Sequence, residues 1–80
     1  MKHLNIENIS KNQVDTVEQF KVLAYLKKEF NLNEVELYLY NRDTIKLIDK
    51  NKEQAYFKYD KQAKNVKFHE KIPKRNEIQR

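Results

Sequence analysis

Residues 34–70 alternate between apolar and polar side chains, and no other feature of the chain limits its fold as strongly. In the first stretch, one side collects Val35, Leu37 and Leu39, and the other collects Glu36, Tyr38 and Tyr40. A period of two is typical of a strand that buries one face. The alternation and the short polar loops that interrupt it predict strands at about 34–40, 44–49, 54–59 and 65–70. Because short loops join antiparallel neighbours, the sequence predicts a four-stranded meander.

One amphipathic helix is expected before these strands, at about residues 16–30. Asp15 is a favourable N-cap, and Glu18 stands three residues later, as in a capping box. The apolar side of the helix comprises Phe20, Leu23, Leu26 and Phe30. A sheet with one apolar face must bury it against another element. The predicted fold class is therefore α+β, with one main α-helix packed on a four-stranded antiparallel meander sheet.

The two ends of the chain are less regular. Leu4 and Ile6 alternate, which fits either an extra N-terminal edge strand or a loose arm. Residues 71–80 contain Pro73 and carry four basic side chains against one acidic one, so we expect a basic C-terminal tail there. Residues 1–70 are expected to form a single small domain, because 80 residues leave no room for two.

Composition excludes several kinds of site. The chain has no cysteine and no glycine. The first absence excludes disulfides and thiolate metal sites, and the second excludes a glycine-rich phosphate loop. Backbone positions with positive φ are expected to use the asparagines at 31, 33, 41, 51 and 65. No apolar run approaches the ~20 residues that span a bilayer, and the N-terminus lacks the apolar core of a signal peptide, so we expect a cytoplasmic protein without a membrane partner.

One strand register satisfies the whole pattern. It starts from Tyr40 opposite Thr44, which places Leu39 opposite Ile45 and Leu37 opposite Leu47. It continues with Leu47 opposite Phe57 and with Tyr59 opposite Val66. The inner face predicted by this register comprises Val35, Leu37, Leu39, Ile45, Leu47, Ala55, Phe57, Tyr59, Val66 and Phe68. Together with Phe20 and Leu23 of the helix, these residues are expected to form the core.

The same register predicts an unusual outer face. Lys46, Lys58 and Lys67 would lie side by side on three neighbouring strands, with Tyr38 beside them and Tyr56 nearby. Like charges directly opposite one another destabilise a sheet, so this row is the feature that points most clearly to a function. Exposed lysines and tyrosines are also common on solvated sheet faces, where salt screens the charges.

The candidate catalytic and metal-binding residues do not converge. His3 and His69 match no zinc spacing, and Ser10 lies in a polar leader without a histidine partner. The carboxylates near predicted strand ends, which suit turns and solvation, are Asp43, Asp49, Glu53 and Asp60. We therefore expect no enzymatic activity, no metal site and no cofactor.

A formal net charge of +5 favours a polyanionic partner. Most of the 17 basic residues are lysines, which suit phosphate contact better than base reading. An AT-rich genome would produce the same lysine excess without selection for binding. No motif identifies a family, and a helix followed by four strands is not the element order of an RNA-recognition motif.

The sequence favours a small non-enzymatic module that binds single-stranded nucleic acid. The residues expected to bind are Tyr38 and Tyr56 by stacking, Lys46, Lys58 and Lys67 through phosphates, and Lys74 and Arg75 through the field of the tail. The alternative is a small adaptor or inhibitor, of the kind carried by phages and mobile elements, that docks on another protein through the tyrosine-bearing face or a strand edge. A third reading is a self-associating protein, and the sequence does not fix its oligomeric state.

Overall fold

The computed structural model describes residues 1–70, which fold into one antiparallel sheet with helices on one face. The elements are β1 Lys2–Leu4, α1 Ile6–Ser10, α2 Val17–Glu29, a 3₁₀ turn Leu32–Glu34, β2 Glu36–Asn41, β3 Thr44–Ile48, β4 Gln54–Asp60 and β5 Asn65–His69. The five strands are ordered β1-β2-β3-β4-β5 in space. The predicted α+β class is confirmed, including the N-terminal edge strand. The expected tail at 71–80 lies outside the described residues.

The N-terminal strand leads directly into a short helix that the sequence did not predict. Asn5 and Asn8 form a capping box, in which each side chain accepts a hydrogen bond from the other residue's backbone N–H, at 2.8 and 3.0 Å. The box starts α1 immediately after β1. Ile9 is buried in the core while Ile6 is exposed, so α1 packs next to β1 with one side toward the core.

Helix α2 begins one residue later than expected, because Thr16 and not Asp15 is its N-cap. The Thr16 hydroxyl accepts from the backbone N–H of Gln19 at 3.0 Å, and the Gln19 side chain accepts from the backbone N–H of Thr16 at 3.2 Å. Both side chains also donate to the β2–β3 turn, Thr16 to the carbonyl of Arg42 and Gln19 to the carbonyl of Asn41. A glutamine and a threonine can satisfy the helix end and the turn together, whereas a carboxylate at position 15 has no proton to donate.

The buried side of α2 is rotated from the expected one. Its buried residues are Gln19, Val22, Leu23 and Leu26. Phe20 is 46% exposed and Phe30 is 39% exposed, so the predicted place of Phe20 in the core is wrong. The hydrogen bonds of Gln19 hold that residue against the sheet, which turns the helix so that the side beginning at Gln19 faces inward.

The predicted strand register is confirmed in two hairpins and wrong in the third. In β2–β3, Leu37 lies opposite Leu47 and Leu39 opposite Ile45, although an irregularity after Leu39 places Asn41, and not Tyr40, opposite Thr44. In β4–β5, Tyr59 lies opposite Val66, as expected.

In β3–β4 the pairing is shifted by two residues. Ile45 lies opposite Phe57, and Leu47 lies opposite Ala55. The turn is two residues shorter than the expected register requires, and one carboxylate oxygen of Asp49 closes it by accepting from the backbone N–H groups of Asn51 and Glu53 at 2.8 and 3.0 Å. A shift of two keeps every side chain on its predicted face but changes its neighbours.

The turns also place positive φ angles at unexpected residues. These positions are Asn12, Lys52 and Lys64, with φ of 54°, 68° and 57°. The expected asparagines at 51 and 65 each neighbour one of the lysines instead. At the β4–β5 turn, Asp60 accepts from the backbone N–H groups of Gln62 and Ala63, and its carbonyl accepts from Lys64 at 2.7 Å. An aspartate therefore organises the backbone of each of these two turns, Asp49 in β3–β4 and Asp60 in β4–β5. The residue with the left-handed conformation is a lysine in both, Lys52 and Lys64.

The core lies between the helices and the inner face of the sheet. Its buried hydrophobic residues are Leu4, Ile9, Val22, Leu23, Leu26, Leu37, Leu39, Ile45, Leu47 and Phe57. Phe68, which was predicted to be buried, is 57% exposed. Because α2 lies mainly against β3 and β4, the inner face of β5 is left partly uncovered. No helix of residues 1–70 covers the opposite face of the sheet, which is called the outer face below.

Candidate nucleic-acid interface

Five side chains form one row across the outer face, one from each strand. The pairings place His3 opposite Tyr38, Tyr38 opposite Lys46, Lys46 opposite Tyr56 and Tyr56 opposite His69. This row, called the central row below, has one lysine at its centre and two rings, one phenol and one imidazole, on each side. Neighbouring strands are about 4.8 Å apart, so Tyr38 and Tyr56 stand roughly 10 Å apart with Lys46 between them.

The rings of the central row touch their neighbours. The ring centroids of His3 and Tyr38 are 5.0 Å apart. The Lys46 Nζ lies 5.8 Å from the centroid of the Tyr56 ring, which is within range of a cation–π interaction. Tyr40 lies outside the row but packs edge-on against Tyr56, with centroids 4.9 Å apart. These contacts hold the rings in fixed positions on the outer face.

A carboxylate fixes the Tyr38 hydroxyl. That hydroxyl donates to Oε1 of Glu36 at 3.0 Å. The hydrogen bond to the Glu36 carboxylate, with burial and the negative charge of Glu36 adding to it, raises the pKa of Tyr38 above its ordinary value. The phenol therefore stays neutral and its donor is occupied, which leaves the ring itself as the surface that Tyr38 offers to a ligand.

The expected row of three adjacent lysines is wrong. Lys46 lies opposite Tyr56, while Lys58 lies opposite Thr44 on one side and Lys67 on the other. The remaining lysine pair is neutralised by carboxylates, since Lys58 Nζ lies 3.4 Å from Asp43 Oδ2 and Lys67 Nζ lies 3.3 Å from Asp60 Oδ2. The predicted repulsion on the outer face is therefore largely absent.

Asp60 connects the β4–β5 turn to the lysine pair. Hydrogen bonds from the backbone of Ala63 and from the side chain of Lys67, together with the backbone of Gln62, lower the pKa of Asp60 below its ordinary value. The carboxylate thus remains ionised as the pH falls, and the ion pair with Lys67 persists into acid. Below Asp43 and Asp60 lies an open hollow of about 640 Å³ that Lys58, Lys67 and His69 also line.

The structure brings together some of the predicted binding residues and separates others. Tyr38, Lys46 and Tyr56 are neighbours in the central row. Lys58 and Lys67 lie in the adjacent row, toward the β2–β3 turn. Lys74 and Arg75 lie outside the described residues.

The sequence prediction did not assign a binding role to His3, His69 or Tyr40. The alternation already indicated the outer face for all three. His3 precedes the inward-facing Leu4, and Tyr40 and His69 each lie two residues from an outer-face residue, Tyr38 and Lys67. Tyr40 and His69 are half-buried and His3 is exposed, so all three reach the surface of the outer face.

Comparison with protein-family models, with curated proteins and with solved structures finds no match for this chain. Within residues 1–70, no group of three histidine or acidic residues is arranged to hold a metal ion. The helices of this part of the chain are also too short or too polar to cross a membrane. The chemistry that the outer face does offer is ring surface, one lysine amine between two tyrosines, and two lysines held by carboxylates.

Proposed function

We propose that the protein is a small, non-enzymatic, cytoplasmic module that binds single-stranded nucleic acid on its outer face. The observation that carries the proposal is the central row, in which Tyr38 and Tyr56 flank Lys46. Unpaired bases stack on aromatic side chains, and a lysine amine neutralises a phosphate. A row of ring, cation and ring therefore offers stacking for the bases and a positive charge for the phosphate of one nucleic-acid strand.

The spacing of the row supports one mode of binding. About 10 Å between the two tyrosines leaves room for a phosphate over Lys46 while bases on either side contact the rings. His3 and His69 extend the same row to both edges of the sheet. Contacts of this kind read ring faces and charge rather than base edges, so binding is expected to be weakly dependent on sequence.

The adjacent lysine pair supplies the second part of the proposed interface. Lys58 and Lys67 exchange their carboxylate partners for phosphates when a strand extends across that row. Exposed ion pairs are worth only about 0–1 kcal/mol, so this exchange costs little. Lys74 and Arg75 would add to the attractive field.

The proposal is tested by fluorescence anisotropy with a labelled single-stranded DNA, its duplex and the RNA equivalent, each at about 50 and 200 mM salt. We expect single strands to bind with a salt slope that corresponds to about two to four neutralised phosphates. Lys46→Gln should weaken binding and reduce the slope by about 0.7. Tyr38→Ala should weaken single-strand binding more than duplex binding, because only unstacked bases reach the ring.

Two control variants separate this interface from a general effect of charge or aromatic content. Lys28→Gln removes one exposed lysine from α2, and Tyr25→Ala removes an exposed tyrosine from the same helix. Neither should change single-strand binding by as much as its counterpart in the central row. No binding at low salt, or equal losses in Lys46→Gln and Lys28→Gln, would show that the outer face is not a nucleic-acid interface.

A further inference from the structure

A groove with aromatic walls opens on the other side of the sheet, where α2 ends and β5 is only partly covered. It has a volume of about 610 Å³, and its apolar lining includes Phe30, Leu47, Phe57 and Phe68. Phe57 is 5% exposed and forms the floor, while Phe30 and Phe68 stand 39% and 57% exposed beside it. Large exposed aromatic side chains are costly to leave in water, so this combination points to an interaction surface.

The three phenyl rings form a connected set. The centroid of Phe57 lies 5.5 Å from that of Phe30, in an edge-on arrangement at 69°. It lies 5.6 Å from that of Phe68, at 55°. Because Phe57 holds both neighbours, the two exposed rings line the groove with their contacts already formed.

The rim of the groove is acidic. Asp49, Glu53 and Glu70 line it, and no lysine or arginine of residues 1–70 does so. None of these three carboxylates takes part in an ion pair within residues 1–70, whereas Asp43 and Asp60 on the outer face both do. The C-terminal end of α2, where the helix dipole is negative, precedes Phe30 directly. The chain as a whole carries +5, so the groove is a negative site on a positive protein.

An open strand edge borders the same groove. Within residues 1–70, β5 pairs with β4 on one side and has no strand on the other. No strand of the described residues takes up its outward backbone N–H and C=O groups, and such groups can pair with a further strand. Phe68 faces the groove side, so a strand added next to β5 would direct every second side chain toward that side.

From these features we propose that the groove binds an extended basic segment of a partner protein. The segment pairs with the edge of β5 through its backbone. Apolar side chains pack on Phe30 and Phe68, and lysine or arginine side chains reach Asp49, Glu53 and Glu70. Cations are attracted to phenyl faces as well as to carboxylates, so a basic side chain fits both parts of the groove. This surface lies opposite the outer face, and the proposal does not depend on nucleic-acid binding.

The test uses the full chain and a synthetic heptapeptide, Ile-Thr-Lys-Thr-Ile-Thr-Lys, with calorimetry as the readout. Isoleucine and lysine share every second position, so that both kinds of side chain face the groove when the peptide pairs with β5. This Ile–Lys peptide should bind, whereas the peptides with glutamate in place of lysine (Ile–Glu) or with serine in place of isoleucine (Ser–Lys) should not. Methylation of the peptide nitrogens that face β5 should abolish binding, because it removes the donors of the added strand. Equal binding of the Ile–Lys and Ser–Lys peptides would overturn the proposal.

Variants locate the binding to the groove. Two groove variants should each lower the affinity for the Ile–Lys peptide by about tenfold or more. One is Phe68→Ser, and the other combines Glu53→Lys with Glu70→Lys. The matched controls are Ile6→Ser, which removes another exposed apolar side chain, and Glu7→Lys, which reverses an exposed charge on α1. Both controls should bind the peptide as the unaltered chain does. A loss of affinity as large in the controls as in the groove variants would contradict the assignment.

The same experiments distinguish two other occupants. If the apparent mass rises with concentration and Phe68→Ser abolishes that rise, a second copy of the chain occupies the groove and the proposal fails. If the peptide binds only after Lys71, Ile72 and Lys74 are replaced by serine, the competing occupant is the chain's own C-terminal sequence and the proposal again fails. A complete absence of peptide binding in all of these variants would also overturn it.

Discussion

Tyr38 takes part in both a ring contact and a hydrogen bond to a carboxylate on the outer face. Its ring contacts His3 at 5.0 Å between centroids, and its hydroxyl donates to Glu36 at 3.0 Å. Because the hydrogen bond favours the protonated phenol, it raises the pKa of Tyr38. The stability that this hydrogen bond contributes is fully present below the ordinary tyrosine pKa and is lost as the pH rises through the raised value.

The first prediction concerns this tyrosine. Glu36→Gln removes the negative charge and weakens the acceptor, so the pKa of Tyr38 should fall toward its ordinary value of about 10. Tyrosine ring carbons followed by NMR from neutral to alkaline pH give the measurement, and Glu34→Gln on the nearby 3₁₀ turn is the control. An unchanged titration of Tyr38 in Glu36→Gln would mean that the Glu36 carboxylate does not raise the pKa of the Tyr38 hydroxyl.

Single residues were predictable where only parity mattered. Tyr38, Lys46 and Tyr56 were assigned to the outer face from alternation, and they lie there. The partner of each lysine was not predictable, because the pairing of Lys58 with Asp43 depends on how the β2–β3 turn folds back. Lys52 and Lys64 were missed as left-handed residues because propensity favours the neighbouring asparagines, and the turn hydrogen bonds of Asp49 and Asp60 override it.

At the scale of elements, the start of α2 is tied to the β2–β3 turn. Thr16 and Gln19 cap the helix and bond to the carbonyls of Arg42 and Asn41. Gln19 is 3% exposed, so its carboxamide would be buried without partners if the turn moved away. The helix and the hairpin are therefore positioned by the same two side chains.

The second prediction compares the two residues at this helix start. Thr16→Ala should lower the free energy of unfolding by about 0.5–2 kcal/mol, because it removes an N-cap that also donates to the turn. Asp15→Ala should change it by about 0.5 kcal/mol or less, since Asp15 contributes only its backbone N–H to the cap. Urea unfolding followed by circular dichroism provides both values. Equal effects in the two variants would contradict the assignment of Thr16 as the cap.

Elements were easier to predict than the connections between them. The alternation of residues 34–70 located four strands, and the apolar spacing of residues 16–30 located α2. The β3–β4 register failed because two turns that differ by two residues satisfy the same alternation, and only the two hydrogen bonds to Asp49 select the shorter one. Helix α1 was missed because its cap consists of two asparagines rather than the usual hydroxyl and glutamate pair.

For the whole molecule, stability depends on a core that is smaller than the sequence suggests. Leu47 is 5% exposed, but Phe20 and Phe68 are 46% and 57% exposed, although the strand alternation and the apolar spacing of the helix assigned all three to the interior. One helix of 13 residues covers only part of a five-stranded sheet, so the apolar positions at its margins remain in contact with water. A chain of this size buries a smaller fraction of its surface than a larger domain does, and each buried side chain therefore matters more.

The third prediction separates the buried core from its margin. Leu47→Ala should cost about 2–5 kcal/mol, which is a large part of the total stability of a small domain. Phe68→Ala should cost about 1 kcal/mol, since it loses mainly the ring contact with Phe57. Chemical denaturation of both variants in the same buffer is the measurement. A Phe68→Ala effect as large as that of Leu47→Ala would mean that β5 is covered more fully than its exposure indicates.

The position of β1 has a consequence for the order of folding. Every other neighbouring pair in the sheet is a hairpin that closes over a few residues, which takes microseconds. Pairing Leu4 with Leu37 instead requires residues 5–36, with both helices, to close into one loop. Because closure entropy grows with loop length, we expect the hairpins to form first and β1 to dock last. His3 then reaches Tyr38 only at the final step of folding. In the folded protein, local detachment of β1 would remove His3 from the central row without unfolding the rest of the sheet.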